Sequence, residues 1–323
     1  MSVTDAAGAR IAQTDAVMWN PLIGAHACIN QLSVASEKLG TLESISDYGR
    51  AVATLRAADT GALETTSAAH KALELCMPDG YATQRVAYGQ SADVFATPFC
   101  ISPMMCINQA SSNIPFQRTG AMTVTMILSQ ASQFLHGADA AGKLYALSNV
   151  QLVYYVAASP NNKRIEMMKT ECLLRTLPSA SSAFQTRGSM VATRMLMSFI
   201  PQAQLGDQAF DQYRSVNAGV QRLSFTYGDS SNVVTTTFRN QQEVMANYLF
   251  AMRTSAGFAS ALATVIGLDS LPSSSAHGGY GVGIMFDGGI DMTSTQLGLV
   301  LEGLDMSQGA LAGYLVFQGA VAL

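Results

Sequence analysis

Residues 122–128 alternate, with Met122, Val124, Met126 and Leu128 apolar and Thr123 and Thr125 polar. A period of two puts the apolar set on one face of an extended strand and the polar set on the other. Runs of this kind recur along the chain between turn-forming residues. Residues 28–34 place Cys28, Asn30, Leu32 and Val34 on one side, with Ile29, Gln31 and Ser33 on the other. Residues 150–156 alternate Val150, Leu152, Tyr154 and Val156 with Gln151, Val153 and Tyr155. Residues 81–100 are strand-like until Pro98 breaks them. Further on, 190–200, 220–227, 233–238, 282–286, 297–301 and 314–317 read as strands, with a turn at 228–232 and a Pro/Ser/Gly loop from 271. Residues 164–177 are charged and read as strand or helix. Helical spacing is confined to 62–76, stopped by Pro78 and Gly80, and to 242–266, which Gly257 interrupts. No strand–helix–strand rhythm appears. Many short strands with turn chemistry between them predict antiparallel β-sandwiches. The pattern occurs once on each side of Ala158-Ser159-Pro160-Asn161-Asn162-Lys163, a linker by composition.

Composition narrows what such sandwiches do. Of 323 residues only 18 are Lys or Arg and 22 Asp or Glu, or 12% charged. A typical soluble domain carries about 25%. The apolar fraction of 49% and the net charge of −4 are incompatible with a disordered chain. They also lack the basic excess of a nucleic-acid binder, and residues 1–16 offer Arg10 against Asp5 and Asp15. Charges normally cover solvent-facing surface, so their scarcity predicts a surface covered by other protein, as in obligate assemblies. A secreted Ser/Thr-rich β protein would be equally charge-poor. Yet residues 1–16 hold no apolar signal-peptide run and the chain has no N-x-[ST] sequon, so no signal peptide is expected. The stretches 94–117, 119–138 and 306–323 contain no Asp, Glu, Lys or Arg, but Pro, Gln, Ser and Gly punctuate them and none is expected to span a membrane.

The search for chemistry yields no catalytic, cofactor-binding or metal-binding residue. His26, His70, His136 and His277 have no His or Cys partner at metal spacing. Cys28, Cys76, Cys100, Cys106 and Cys172 form no C-x-x-C pair and read as reduced, buried thiols. His277-Gly278-Gly279-Tyr280-Gly281-Val282-Gly283 echoes an oxyanion or dinucleotide loop but keeps the spacing of neither, and reads as a tight loop entering a strand. Asp287-Gly288-Gly289-Ile290-Asp291 lacks the further acids of a calcium loop. Neither Glu43 with Asp47 nor Glu166 with Glu171 is assigned catalysis. The 17 Met residues read as adaptable packing.

Three segments, in order, resemble a known family. The first is Gly24 to Ser36, followed by Gly40-Thr41-Leu42-Glu43-Ser44-Ile45-Ser46-Asp47-Tyr48. The second runs from Ile114-Pro115-Phe116 through Gly120 into the alternating strand ending at Leu128. The third is Leu147-Ser148-Asn149-Val150-Gln151-Leu152-Val153-Tyr154-Tyr155. They are similar to the double jelly-roll major capsid proteins of icosahedral DNA viruses. In that family an early strand ends in a polar turn, and a leucine–glutamate–x–isoleucine–x–x–tyrosine segment follows. The resemblance covers about half of residues 20–160; beyond them only the order of strands and helix matches.

The resemblance implies an all-β chain with short helical insertions, built as two tandem antiparallel jelly-roll β-sandwiches. Its divisions would be a flexible N-terminal arm at 1–16, a first jelly roll at 17–157, a linker at 158–163 and a second roll at 164–323. It further implies a structural major capsid protein rather than an enzyme. Such a chain forms homotrimeric, pseudo-hexameric capsomers that tile a virion shell. Partners would be the chain itself, a penton or vertex protein and minor capsid proteins, with an internal membrane possible and no sequence-specific nucleic-acid contact. Synthesis would be in the host cytoplasm or nucleus. The main alternative is a two-domain β-sandwich binding module, such as a glycan-binding spike or lectin. A glycosidase on the same scaffold would need two facing carboxylates, which linear sequence cannot place.

Overall fold

The computed structural model describes residues 2–9, 11, 15–20, 23–58, 99–111, 113–155, 165–209, 212–228, 233–252 and 280–322. The expected helix at 62–76, the strand at 81–98, the linker at 158–163, residues 253–266 and His277 to Gly279 lie outside them. In the first half, β1 (Ser2–Thr4), β2 (Met18–Trp19), β3 (Ile29–Ser36), β4 (Gly40–Ile45), β5 (Met122–Leu128), β6 (Leu135–His136) and β7 (Leu144–Ala146) form three small antiparallel sheets. These are β4-β3-β5, β1-β7 and β2-β6. Among the described residues α1 (Tyr48–Ala58), α2 (Phe116–Thr119) and α3 (Ala131–Phe134) accompany them.

The second half holds β8 (Glu166–Leu177), β9 (Ser181–Thr186), β10 (Val191–Pro201), β11 (Arg222–Gly228), β12 (Val233–Phe238), helix α4 (Gln241–Met252), β13 (Gly281–Asp291), β14 (Gln296–Glu302) and β15 (Leu311–Ala322). One sheet has the order β13-β10-β15-β8 and the other β12-β11-β14-β9. Every pairing is antiparallel. Counted along the chain, the strands fall as 6-3-8-1 in one sheet and 5-4-7-2 in the other. Successive strands therefore cross between sheets except at the hairpin β11–β12, and the last strand lies beside the first. That double Greek key of eight strands is a jelly roll.

Its core lies between the two sheets. Met195, Met197, Phe199, Leu315 and Phe317 from one sheet are buried with Leu223, Leu297, Leu299 and Leu301 from the other. The opposite face of the first sheet is buried as well: Leu196, Ile200, Tyr314 and Val316 pack with Ile29, Leu32 and Ile45 of the first half. This explains the charge-free stretch 306–323. Central strand β15 is covered on both faces, so its apolar residues run on without alternation. The expected strand at 314–317 is accordingly longer. Close packing here also needs absent side chains. A Cβ on Gly319 would sit 2.0 Å from the Val191 carbonyl oxygen. Gly319→Ala is expected to cost about 1–3 kcal/mol, read as a lowered unfolding midpoint; an unchanged midpoint would place β15 further from β10.

Helix α4 shows the sequence logic locally. Asn240 Oδ1 accepts the Glu243 N–H (2.9 Å), and Glu243 Oε2 accepts the Arg239 N–H (2.7 Å), so the start is capped from both directions. Val244, Tyr248 and Ala251, at helical spacing, are the buried face. They lie on β13, where a Cβ on Gly281 would come within 2.7 Å of the Tyr248 ring, and one on Gly283 within 2.7 Å of Ala251. The Gly281 and Gly283 of the oxyanion-like motif thus serve close helix–strand contact.

Several expectations need correction. Residues 2–4 belong to the segment expected as a mobile arm, yet they form β1 on β7, because Val3 finds a buried site. Within β3, Ile29 is buried although the alternation pointed it outward; a register shift between Ile29 and Gln31 reverses the parity. On β5 only Met122 and Val124 turn partly inward, while Met126, Ile127 and Leu128 are exposed. Residues 150–155 form no strand. Leu152 is 61% and Tyr155 98% exposed, so the apolar alternation there has no core to face within the described chain.

Candidate assembly surfaces

The motif Leu42-Glu43-x-Ile45-x-x-Tyr48 sits where the halves meet. Glu43 and Ile45 end β4, and Tyr48 opens α1. Ile45 and Tyr48 are fully buried. The Tyr48 hydroxyl accepts the Met104 N–H (2.9 Å) and lies 2.9 Å from His26 Nδ1. His26 is thereby accounted for as a buried packing residue. Glu43 is also fully buried, and its two oxygens take two backbone N–H groups, Cys106 (2.6 Å) and Thr170 (2.7 Å). Thr170 is on β8, the edge strand of the jelly roll's inner sheet. The same edge is met by residues 109–111: Ser111 N–H donates to the Glu166 carbonyl (2.8 Å), and Ala110 bridges Met167. The first half therefore caps a strand edge that would otherwise present open hydrogen-bonding groups. Burial holds the Glu43 carboxyl above the usual Glu range, against the lowering pull of its two amide bonds and Lys169.

The other residues weighed from sequence are not gathered. His136 is buried in β6, and His70, His277 and Cys76 lie outside the described residues. Cys28, Cys106 and Cys172 are buried and Cys100 is exposed; burial pushes the Cys28 and Cys106 thiols up to about 12. They are protonated, weakly reactive core groups. Glu171 accepts the Ser189 N–H (2.9 Å), whereas Glu166 is exposed. Asp287 to Gly289 bulge out of β13 between Met285, paired to Arg194, and Ile290, paired to Ala192. Asp291 instead caps the following turn through Thr293 and Ser294. Among the described residues no group of three His, Cys, Asp or Glu could hold a metal, and no helix is long and apolar enough to cross a membrane.

What the described surface does display is several runs of exposed apolar residues. Met126, Ile127 and Leu128 on β5 are 37–49% exposed, and Val150, Leu152, Val153, Tyr154 and Tyr155 are 61–98% exposed. On edge strand β12, Val233 and Val234 are exposed too. Strand β5 lies at the end of its sheet, beside β3. Ion pairs among the described residues include Lys143–Asp15 (2.8 Å) and Arg222–Glu302 (3.2 Å). Apolar runs of this extent on a monomer's outside mark contact surfaces.

No protein family matches the chain by profile, and no curated protein matches it by sequence. Its neighbours among solved structures are viral major capsid proteins. The Faustovirus major capsid protein is 7% identical, with 99% of this chain and 76% of that one covered and a TM-score of 0.43. A chain of Sulfolobus Turreted Icosahedral Virus is 11% identical over 99% of this chain and 80% of that one, with a TM-score of 0.36. PBCV-1 VP54 is 8% identical over 96% and 84%, also at 0.36. Superpositions this loose add nothing to the fold beyond what the strand connectivity gives.

Proposed function

We propose that this chain is a structural capsid subunit that associates with copies of itself and tiles an icosahedral virion shell. The observation that carries the reading is the set of exposed apolar residues, Met126, Ile127 and Leu128 on β5, the run 150–155, and Val233 and Val234 on β12, in a chain whose second half is a jelly roll. Such a surface is costly on a free subunit and is satisfied by contact between copies. On this reading the first half is a second, shorter roll. A two-lobed subunit repeated about a three-fold axis then gives six lobes, a shape that packs closely in a plane. Contacts between identical trimers propagate the lattice. The weak charge of the chain leaves genome contact to other components.

Light scattering on the purified full chain tests this. The expected species is a trimer, three times the 34.1 kDa chain mass. It should persist from about 0.05 to 1 M salt, because apolar contacts are not screened as ion pairs are. A stable monomer at micromolar concentration would overturn the proposal. Leu152→Asp is expected to give soluble monomer, since an exposed position tolerates the charge in the subunit but not in a contact; trimers of unchanged stability would remove residues 150–155 from the interface.

A further inference from the structure

Neither the core nor the assembly surfaces account for Asp287-Gly288-Gly289. The segment leaves the register of edge strand β13: Met285 pairs with Arg194 and Ile290 with Ala192, so residues 286–289 face Thr193 alone. Gly288 and Gly289 hold φ of +76° and +77°, which glycine adopts without steric penalty. The main chain here is kinked out of the ladder. Asp287 and Gly288 are both exposed, and a Cβ built on Gly288 would meet nothing within 4 Å. Among the described residues the Asp287 carboxylate takes no hydrogen bond and no ion pair. The aspartates that follow it differ. Asp291 is held by Thr293 and Ser294, and Asp305 accepts the Ser307 N–H (2.9 Å). Each of those two precedes a methionine, Met292 and Met306, whose side chain crowds its own N–H.

We propose that the Asp287–Gly288 bond is a site of spontaneous covalent modification, at which aspartate converts to isoaspartate in the folded chain through a cyclic imide. The Gly288 nitrogen attacks Cγ of the protonated Asp287 side chain. A Cγ–N bond forms, the nitrogen gives up its proton and the carboxyl its hydroxyl, and one water leaves. A second water opens the five-membered ring. Addition at the Asp287 main-chain carbonyl carbon breaks its bond to the Gly288 nitrogen, so the chain then runs through Cβ and Cγ; addition at Cγ restores aspartate. The water lost equals the water gained, and no oxidant takes part. Three features favour the ring here. The carboxyl is not held by a partner and is free to turn toward the next nitrogen. Glycine brings no Cβ to hinder the attack. The bulged main chain is not locked by strand pairing and can adopt the geometry of the ring. The product has one more main-chain carbon, which an unpaired bulge absorbs where a laddered residue would lose its register.

Ageing of the purified full chain tests this. The protein is held at fixed neutral pH, well below its unfolding midpoint, in water enriched in heavy oxygen, and is sampled over weeks by peptide mapping with fragmentation that distinguishes isoaspartate from aspartate. The expected result is isoaspartate at 287 that rises steadily from the starting sample, several-fold faster than at Asp291 or Asp305, and carries solvent oxygen. Mapping by position keeps it separate from Asp79-Gly80, the same dipeptide earlier in the chain. Asp287→Glu keeps the charge but would have to close a six-membered ring, and should abolish the signal. Asp287→Asn, with ammonia as the leaving group, should form isoaspartate several-fold faster. A folded chain that stays unmodified at 287 while the free peptide 282–292 accumulates isoaspartate would overturn the proposal, because the bulge would then be holding the bond closed to attack. Equal rates at 287, 291 and 305 would overturn it as well.

Discussion

Glu43→Ala is expected to lower unfolding stability by about 3–5 kcal/mol, because two buried N–H groups lose a charged acceptor at once. Both Cys106 and Thr170 donate to this one carboxylate, which is fully buried. Glu43→Gln keeps the shape but has a single acceptor oxygen, so its NH₂ faces an N–H and about half of the loss should remain. Denaturant titration reads both. Because the carboxylate joins β4 to β8, the expected first change is separation of the halves, seen as early amide exchange at Thr170. A wild-type midpoint in Glu43→Ala would mean that the junction is held by its apolar packing and its other hydrogen bonds, such as Ser111 to Glu166 and Thr54 to Ser198.

The pH dependence of the same group has a definite sign. The folded carboxyl of Glu43 is raised above its ordinary value. Stability from its protonated form is therefore fully present below about 4.3, the ordinary Glu value, and is lost as pH rises through the higher folded one. Asp47, also raised, acts in the same sense. Asp291 and Asp305 are lowered by turn hydrogen bonds and act oppositely, losing their contribution as pH falls. The contrast between wild type and Glu43→Gln isolates the buried group: wild type should fall more steeply from pH 4 toward 7.

Phe199→Ala is expected to cost about 3–5 kcal/mol through loss of a buried ring and the cavity it leaves. Phe199 is fully buried on β10, between β13 and β15, and its ring lies 5.9 Å from that of Tyr280. Leu196, on the opposite face of the same strand, belongs to the other core. Leu196→Ala should therefore destabilise the junction together with Glu43→Gln, non-additively, whereas Phe199→Ala should add to Glu43→Gln. Additive losses for both pairs would show that the two faces of the sheet are not separate cores.

The two halves of the chain differ in how far local pattern carried. Strand β12 spans 233–238, as its β-branched run suggests, because an exposed edge strand is decided by its own propensity. Strand β9, Ser181–Thr186, has no such signal; a Ser-rich hexapeptide becomes a strand by pairing residue for residue with β14. Helix α1 was equally silent, since Gly49, Val52 and Thr54 are weak helix formers, and burial of Tyr48, Ala51, Val52 and Leu55 against the jelly roll supplies what propensity lacks. Residues 150–155 are the reverse case: a strand-like pattern without a partner strand in the described chain.

By itself, the order of residues determined a β-rich chain of short antiparallel strands, poor in charge and without an assembled catalytic or metal motif, because alternation, turn chemistry and composition are local properties. Glu43, Ile45 and Tyr48 stood out as a unit only through the resemblance to the double jelly-roll capsid proteins, not through any local period. Only the tertiary structure decided that the second-half strands close into 6-3-8-1 and 5-4-7-2 sheets, that one sheet is buried on both faces, and that a buried carboxylate of the first half bonds to the edge strand of the second. Those outcomes depend on contacts between residues more than a hundred positions apart, such as Glu43 with Thr170, and no local period encodes such a pairing.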